Sequence, residues 1–139
     1  GTKTATPNTN EKNITQNFTV SDVAAFANSY SLGYTVYTAL LTQTGTNAPV
    51  ATVLQNTTGG TIAWSYSNVG IYVATMSSAT YTANKTAVLI SLGGANNSTV
   101  ISSVVDSTTA LTLYQIDVGD QQTTNSINAT TTIEIRIYI

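Results

Sequence analysis

The sequence predicts an all-β domain of two packed antiparallel sheets with eight or nine strands. Short stretches rich in β-branched and aromatic residues alternate with turn-forming residues along most of the chain, a spacing typical of sandwiches and barrels. Threonine fills 28 of the 139 positions, and its branched Cβ suits a pleated strand. We expect a jelly-roll-like sandwich with at most one short helix, and a closed β-barrel is the alternative.

The N-terminal segment differs from the rest of the chain. Residues 1–13 contain no large apolar side chain, so they predict a flexible tail or linker, because they bury too little surface to offset their ordering entropy. Residues 14–139 are then expected to form a single β-sandwich domain, a length that suffices for one core without disulfides.

The start of that domain contains the one predicted helix. Thr15–Val20 is a candidate strand. Ser21 followed by Asp22 favours a helix start, since a serine side chain caps free backbone N–H groups and an early acid suits the helix dipole. Val23–Ala27 would then supply one or two helical turns, which need docking to be stable.

Four strands with three turns are predicted between Tyr34 and Met76. Pro49 is compatible only with the first residue or the edge of a strand, and Gly59 and Gly60 suit a tight turn. The third strand alternates, which places Ile62, Trp64 and Tyr66 on one face. The four predicted strands are Tyr34–Gln43, Val50–Gln55, Thr61–Tyr66 and Ile71–Met76.

The second half of the chain continues the strand pattern. A loop over Ser77–Asn84 is expected to be anchored by Tyr81. In the strand Ala110–Val118 the apolar alternation changes phase, so either a β-bulge lies between Leu113 and Tyr114 or both faces are buried. The other predicted strands are Ala87–Leu92, Thr99–Val105 and the last residues of the chain.

The C-terminal region contrasts a polar loop with a regular strand. Gly119–Thr131 is long and polar, and such loops are often functional or mobile. The chain then ends on alternating isoleucines, Ile133 to Ile139, with Glu134 and Arg136 together on the opposite face. This pattern predicts a strand with one face in the core.

Several of these segments resemble a known domain type. The segments are VYTALLTQTGTNAPVATVLQNTTGGTIAWSY at 36–66, GIY at 70–72, TANKTAVLI at 82–90 and IEIRIYI at 133–139. They resemble a small domain that recurs near the C-termini of fibre-like virion and prophage-encoded proteins from phages of Bacteroidetes-type bacteria. The likeness covers Tyr34–Ile90 and the last seven residues and lapses over Ser91–Thr131. It implies an extracellular location in a virion, homotrimeric assembly and attachment to other virion proteins through the N-terminal region.

Composition excludes several functions. Charged residues make up 7% of the chain and the net charge is −2, so no basic footprint for nucleic acid can form. No apolar run is long enough for membrane insertion. Cysteine and histidine are absent, which removes thiolate metal sites and the commonest general base.

Carboxylates are the remaining groups for catalysis or metal binding. Asp106, Asp117 and Asp120 are the candidates for a glycosidase-like pair, and Asp117 and Asp120 also for a Ca²⁺ site. Turn-favouring aspartates explain all three more simply. We therefore assign no catalytic, cofactor-binding or metal site and expect no enzyme.

Tyrosine supplies the candidate ligand-binding residues, because its ring is stiff and amphipathic. Tyr37 and Trp64 lie in strongly apolar strands and are expected in the core. The candidate surface residues are Tyr66, Tyr72, Tyr81 and Tyr114.

Two functional hypotheses follow. The first is a non-enzymatic structural module of a bacteriophage virion, a fibre, spike or head-decoration domain, that presents loops for attachment to a host-surface glycan or protein. The second is a monomeric carbohydrate-binding or adhesive module of a bacterial surface protein. A large apolar interface would favour the first, and a monomer with an aromatic-lined concave patch the second.

Overall fold

The computed structural model describes residues 20–21, 32–94 and 98–139. The chain divides into two compact units, Gly1–Leu32 and Gly33–Ile139, and all the described strands lie in the second. These strands are β1 (Tyr34–Thr42), β2 (Val50–Asn56), β3 (Thr61–Asn68), β4 (Ile71–Ser77), β5 (Thr86–Ser91), β6 (Thr99–Val105), β7 (Ala110–Asp117) and β8 (Thr131–Tyr138).

The eight strands form two four-stranded sheets, which confirms the predicted two-sheet sandwich. Sheet A has the order β2-β1-β8-β5 and sheet B the order β3-β4-β7-β6. Every neighbouring pair is antiparallel. Among the described residues both sheets are open, each with two edge strands, so the closed-barrel alternative is not adopted. Three hairpins, β1–β2, β3–β4 and β6–β7, stay within one sheet, while β5 and β8 return the chain to sheet A.

Most of the predictions for the N-terminal segment fall outside the described residues. These are the tail over residues 1–13, residues 15–19 of the candidate strand, and the helical turns over Val23–Ala27 together with Asp22 of the predicted Ser21-Asp22 helix start. Val20 and Ser21 are helical, so Val20 is not in the strand conformation predicted for it. The domain boundary at residue 14 stays a prediction.

The core lies between the central strands of the two sheets. Alternation on β8 turns Ile133, Ile135 and Ile137 inward, as the isoleucine repeat predicts. Facing them, β4 and β7 contribute Tyr72, Ala74, Met76, Leu111 and Leu113, and β1 contributes Tyr37, Ala39 and Leu41. Trp64 packs against this cluster, and its Nε1 donates a hydrogen bond of 3.4 Å to the Tyr37 hydroxyl.

The predicted bulge in β7 is wrong. Residues Ala110 to Tyr114 pair with β4 and residues Leu111 to Asp117 pair with β6, both without a register shift. Leu111, Leu113 and Gln115 therefore all face inward. The inward alternation continues through Gln115, a buried polar residue at a position where the pattern predicts an apolar one. The strand is extensively buried on both faces, which is the other interpretation. Register shifts occur instead in β1–β2, at Thr38/Ala39, and in β3–β4, at Tyr66/Asn68.

The turn residues lie in the β1–β2 hairpin, in the connection from β2 to β3 between the two sheets, and in the β3–β4 hairpin. Pro49 directly precedes the edge strand β2. Gly59 has φ +82°, and a Cβ on Gly60 would collide with the Ser77 carbonyl oxygen. Gly70 has φ +64°, and a Cβ there would lie 2.6 Å from the Gln115 carbonyl oxygen. Only glycine allows these backbone positions without strain.

The loop Gly119–Thr131 is packed against the sandwich. Ile127 is in the core, and its carbonyl oxygen accepts the Gln43 N–H at 2.9 Å. Thr123 forms an isolated β-bridge with Ile116. The Asn125 side chain accepts the Gly70 N–H at 2.8 Å. Apolar and hydrogen-bond contacts therefore fix this polar segment along much of its length.

Candidate functional site

Tyr72 is fully buried, so its expected place on the surface is wrong. Its hydroxyl points into the core, where Gln43 Oε1 lies at 2.9 Å and Gln115 Oε1 at 3.2 Å. Burial raises the pKa of Tyr72 to about 12. The ring has no exposed face on which a sugar could stack. The alternation of β4 places it inward, because its apolar body fills the core and its hydroxyl finds buried acceptors.

Tyr81 is also fully buried, and its expected surface position is likewise wrong. Its hydroxyl donates a hydrogen bond of 3.3 Å to the Ala74 carbonyl oxygen, and its N–H is bonded to the Thr108 carbonyl oxygen. Burial raises the pKa of Tyr81 above its usual value. The residue anchors the loop after β4, as the sequence also predicts.

Tyr66 and Tyr114 are partly exposed, but the two rings belong to different surfaces. Tyr66 has the inward parity of β3 and tilts against Tyr72, with 6.2 Å between ring centroids. Tyr114 faces outward from β7, between Ile71 and Ser102 on the neighbouring strands. They do not form one aromatic platform, and a ligand role for either stays a prediction.

The three candidate carboxylates have structural partners. Asp117 Oδ1 accepts the Gly119 N–H at 2.7 Å and Asp120 Oδ1 accepts the Gln122 N–H at 2.9 Å, which are local turn-stabilising bonds. Asp106 accepts a hydrogen bond from the Thr112 hydroxyl.

Asp106 lies beyond one end of β7 and Asp117 is the last residue of that strand, so the rise of the strand separates the two aspartates by about 20 Å. A glycosidase pair needs about 5–10 Å, so Asp106 cannot pair with Asp117.

Within the described ranges, no three acidic side chains group together in a way that could hold a metal ion. A Ca²⁺ site at Asp117 and Asp120 would therefore have two carboxylate ligands and no third acidic side chain from the described residues.

The outward-facing residues of the four strands of sheet B are uncharged, and the Asp106 carboxylate, from the turn between β6 and β7, contacts this face at the Thr112 hydroxyl. Inter-strand register defines which residues face outward. They are small, hydroxylated or aliphatic, and none is acidic or basic. We call this surface the sheet B face; its outward residues are Thr61, Ala63, Ser65, Ser67, Ile71, Val73, Thr75, Ser77, Val100, Ser102, Val104, Ala110, Thr112, Tyr114 and Ile116.

The outer face of sheet A contains an open concavity of about 320 Å³ between β5 and β8. Pairing of Leu89 with Glu134 and of Ser91 with Thr132 brings apolar, hydroxyl and charged side chains to one wall. We call this concavity the sheet A groove; it is lined by Leu89, Ile90, Ser91, Thr132, Glu134 and Arg136.

An ion pair lies in the sheet A groove, and two aromatic rings pack beside its arginine. Arg136 Nε contacts Glu134 Oε1 at 2.5 Å, the one ion pair found in the part of the chain that the structure describes. The guanidinium carbon also lies 5.0 Å from the centroid of the Tyr34 ring, a cation–π distance. Tyr34 and Tyr138 pack together with 5.2 Å between centroids. Hydrogen bonds to Glu134 and Tyr138 hold the pKa of Arg136 above its usual value.

Sequence reasoning detects only part of this groove. The alternation of β8 places Glu134 and Arg136 on one face, and that signal is in the sequence. Tyr34 and Leu89 come from strands far away along the chain, and only the β1–β8 and β5–β8 pairings bring them to the same surface. No short motif marks these partners.

Comparison of the chain with protein-family models, with curated proteins and with solved structures finds no match. The described residues contain no helix that is long and apolar enough to cross a membrane.

Proposed function

We propose that this chain is a non-enzymatic structural module of a bacteriophage virion that assembles as a homotrimer and presents a surface for host attachment. The virion setting and the trimer rest on the sequence resemblance over Tyr34–Ile90 and the last seven residues. The observation that supports assembly is the sheet B face, a four-stranded surface whose outward strand residues are all uncharged, although the Asp106 carboxylate contacts it at Thr112.

An uncharged sheet surface suits burial between subunits. Burying an unpaired charge is costly, whereas aliphatic and hydroxyl side chains are buried at little cost. Interface centres are accordingly depleted of charge. On the sheet B face, Val100 and Val104 are each 48% exposed and would lose apolar area to a partner.

The assembly proposal is tested by placing a charge in the middle of the sheet B face. Thr75 is exposed on the central strand β4, so Thr75→Arg is expected to reduce the solution mass from that of a trimer to that of a monomer. Thr52→Arg, on the exposed outer side of β2 in sheet A, is the matched control and should keep the trimer mass. Sedimentation velocity measures both, with circular dichroism to confirm folding. If Thr75→Arg leaves the mass unchanged, the sheet B face is not the interface.

The second candidate is a monomeric carbohydrate-binding or adhesive module. The sheet A groove favours it, because an ion pair, hydroxyl groups and an exposed leucine line one concavity. A chain that sediments as a monomer at all concentrations would support this function over the virion module.

A further inference from the structure

The charged groups of the sheet A groove are held in fixed positions. Arg136 is bonded to Glu134 along one edge of its guanidinium and lies against the Tyr34 ring on another side. Tyr138 packs on Tyr34 in turn. Both charged residues project from β8, which is paired on both sides. Groups fixed in this way lose little entropy when they bind a ligand.

Both members of the ion pair retain hydrogen-bonding capacity. A guanidinium has five N–H donors and a carboxylate two acceptor oxygens, and the contact within the pair joins one Nε to one oxygen. A donor and an acceptor are thus presented side by side. Adjacent hydroxyl groups on a sugar ring match this arrangement, because each hydroxyl both donates and accepts.

The rest of the groove matches the other chemistry of a sugar. Leu89 is 46% exposed and offers an apolar surface to the C–H face of a ring. Ser91 and Thr132, which are paired across β5 and β8, add hydroxyl groups. A volume of about 320 Å³ lies at the small end of ligand sites, which span about 300–1,000 Å³, and suits one or two sugar rings.

Charge balance selects among glycans. Glu134 and Arg136 cancel one another, so the groove has no excess charge to attract an anionic sugar. Lys85, in the turn before β5 where its carbonyl oxygen accepts the Tyr138 N–H, is not among the residues that line the groove. The pair therefore favours an uncharged ligand.

We propose that the sheet A groove is a binding site for a neutral glycan, with the Glu134–Arg136 pair bonding adjacent hydroxyl groups and Leu89 contacting the ring. This inference rests on the proposed attachment function and names its site and ligand class. The fold of sheet A assembles the site within one chain, so binding does not require the trimer.

The test is an NMR titration of the full chain labelled with ¹⁵N. The probes are neutral di- and trisaccharides of glucose, galactose, mannose and N-acetylglucosamine, each at up to about 20 mM, because small open sites bind weakly. Matching oligosaccharides of uronic acids serve as anionic probes. We expect at least one neutral probe to shift the amides of Leu89, Ser91, Thr132 and Glu134 in a saturable way, with smaller effects from the anionic probes.

Two variants test the roles of the groove residues. Glu134→Gln should weaken the neutral probe about tenfold through the loss of a charge-assisted hydrogen bond, and it should improve binding of the anionic probe because Arg136 is then unpaired. Leu89→Trp, on the exposed side of an edge strand, should fill the groove and abolish the shifts. Asp120→Asn removes the same charge as Glu134→Gln from an exposed loop and should bind like the unmodified chain.

The proposal is overturned if no neutral probe shifts the groove amides, if the shifts map to Tyr114 or another surface, or if the anionic probes bind more tightly to the unmodified chain. It is also overturned if Glu134→Gln binds as the Asp120→Asn control does. Each of these results can be obtained with a chain of trimer mass, so failure of the glycan site is distinguishable from failure of the virion module.

Discussion

Two buried glutamines and a buried tyrosine join separate parts of the sandwich. Gln43 follows β1, and Gln115 lies on β7 of the other sheet; each is 2% exposed. Gln43 Oε1 accepts both the Tyr72 hydroxyl and the Ser126 N–H, while Gln115 Nε2 donates to the Ser126 carbonyl oxygen. The network thus fixes the loop Gly119–Thr131 to both sheets. Buried polar groups that are fully bonded in this way specify one arrangement of the core.

Tyr72→Phe removes one hydroxyl from the centre of that network. The variant removes the single O–H proton that Gln43 Oε1 and Gln115 Oε1 share, so we expect the free energy of unfolding to fall by about 1–2 kcal/mol. Urea denaturation at pH 8 measures the change. Tyr114→Phe, at a partly exposed position, is the control and should change stability by less than about 0.5 kcal/mol. Equal stability of the two variants would show that the network contributes little.

Alkaline pH should destabilise the fold through the same tyrosine. Burial raises the pKa of Tyr72 to about 12, above the value of about 10 in an unfolded chain. Its stabilising contribution is therefore complete below pH 10 and is lost as the pH rises through 12. Between pH 10 and 11, Tyr72 alone should lower the free energy of unfolding by about 1 kcal/mol.

Denaturation curves at pH 8, 10 and 11 test this expectation. Burial also raises the pKa values of Tyr37 and Tyr81, so the unmodified chain should lose more than the contribution of Tyr72. The Tyr72→Phe variant should lose about 1 kcal/mol less than the unmodified chain over the last step. A loss of the same size in both chains would contradict the assignment to Tyr72.

At the scale of the elements, β8 is the strand on which sheet A depends. It pairs with β1 on one side and β5 on the other, although it is the last strand in sequence. Its inward isoleucines are in the core and its outward residues form one wall of the sheet A groove. A single strand thus links the stability of the sheet to the proposed site.

Deleting residues 136–139 should abolish the cooperative thermal transition. The deletion removes pairs that Arg136 and Ile137 make with β1 and β5 and takes a buried isoleucine from the core. Burial of one such side chain contributes about 2–3 kcal/mol, and the lost strand pairing adds to this in a domain whose total stability is about 5–15 kcal/mol. Circular dichroism on heating provides the measurement.

Ile139→Ala is the control for that deletion. Ile139 is 79% exposed and its N–H bond to the Gly33 carbonyl oxygen is retained in the variant, so the transition should persist. A truncated chain that melts like this control would contradict the assigned importance of β8.

The strands are the part of the fold that the sequence predicts best. Alternation and turn residues locate all eight strands to within a few residues, because they reflect local geometry and burial of one face. The phase of β7 is misread because a polar side chain, Gln115, takes a core position. Its side-chain partners are Tyr72 on β4 and Ser126 in the loop before β8, and a local pattern contains no information about them.

The candidate site is less predictable than the strands for the same physical reason. Surface positions of Tyr72 and Tyr81 are predicted from their residue type alone, yet both hydroxyls are satisfied by acceptors inside the core. Glu134 and Arg136 share a face by alternation, which the sequence shows. Their neighbours Tyr34 and Leu89 join them only through long-range strand pairing.

At the scale of the whole second unit, the two outer faces differ in chemistry. The outer face of sheet A has the ion pair, the tyrosines and the groove, while the sheet B face has no charged strand residue. We expect this difference to separate two tasks, with self-association through the sheet B face and ligand contact through the sheet A groove. The two surfaces are independent, because they lie on opposite sides of the core.

The solution mass of the unmodified chain tests the central claim most directly. Light scattering on a sizing column, from about 100 μM down to about 1 μM, distinguishes a stable oligomer from a monomer. We expect a species of three times the 14.5 kDa chain mass that persists on dilution. A monomer at every concentration would contradict the virion module and leave the monomeric carbohydrate-binding module as the function that the sheet A groove supports.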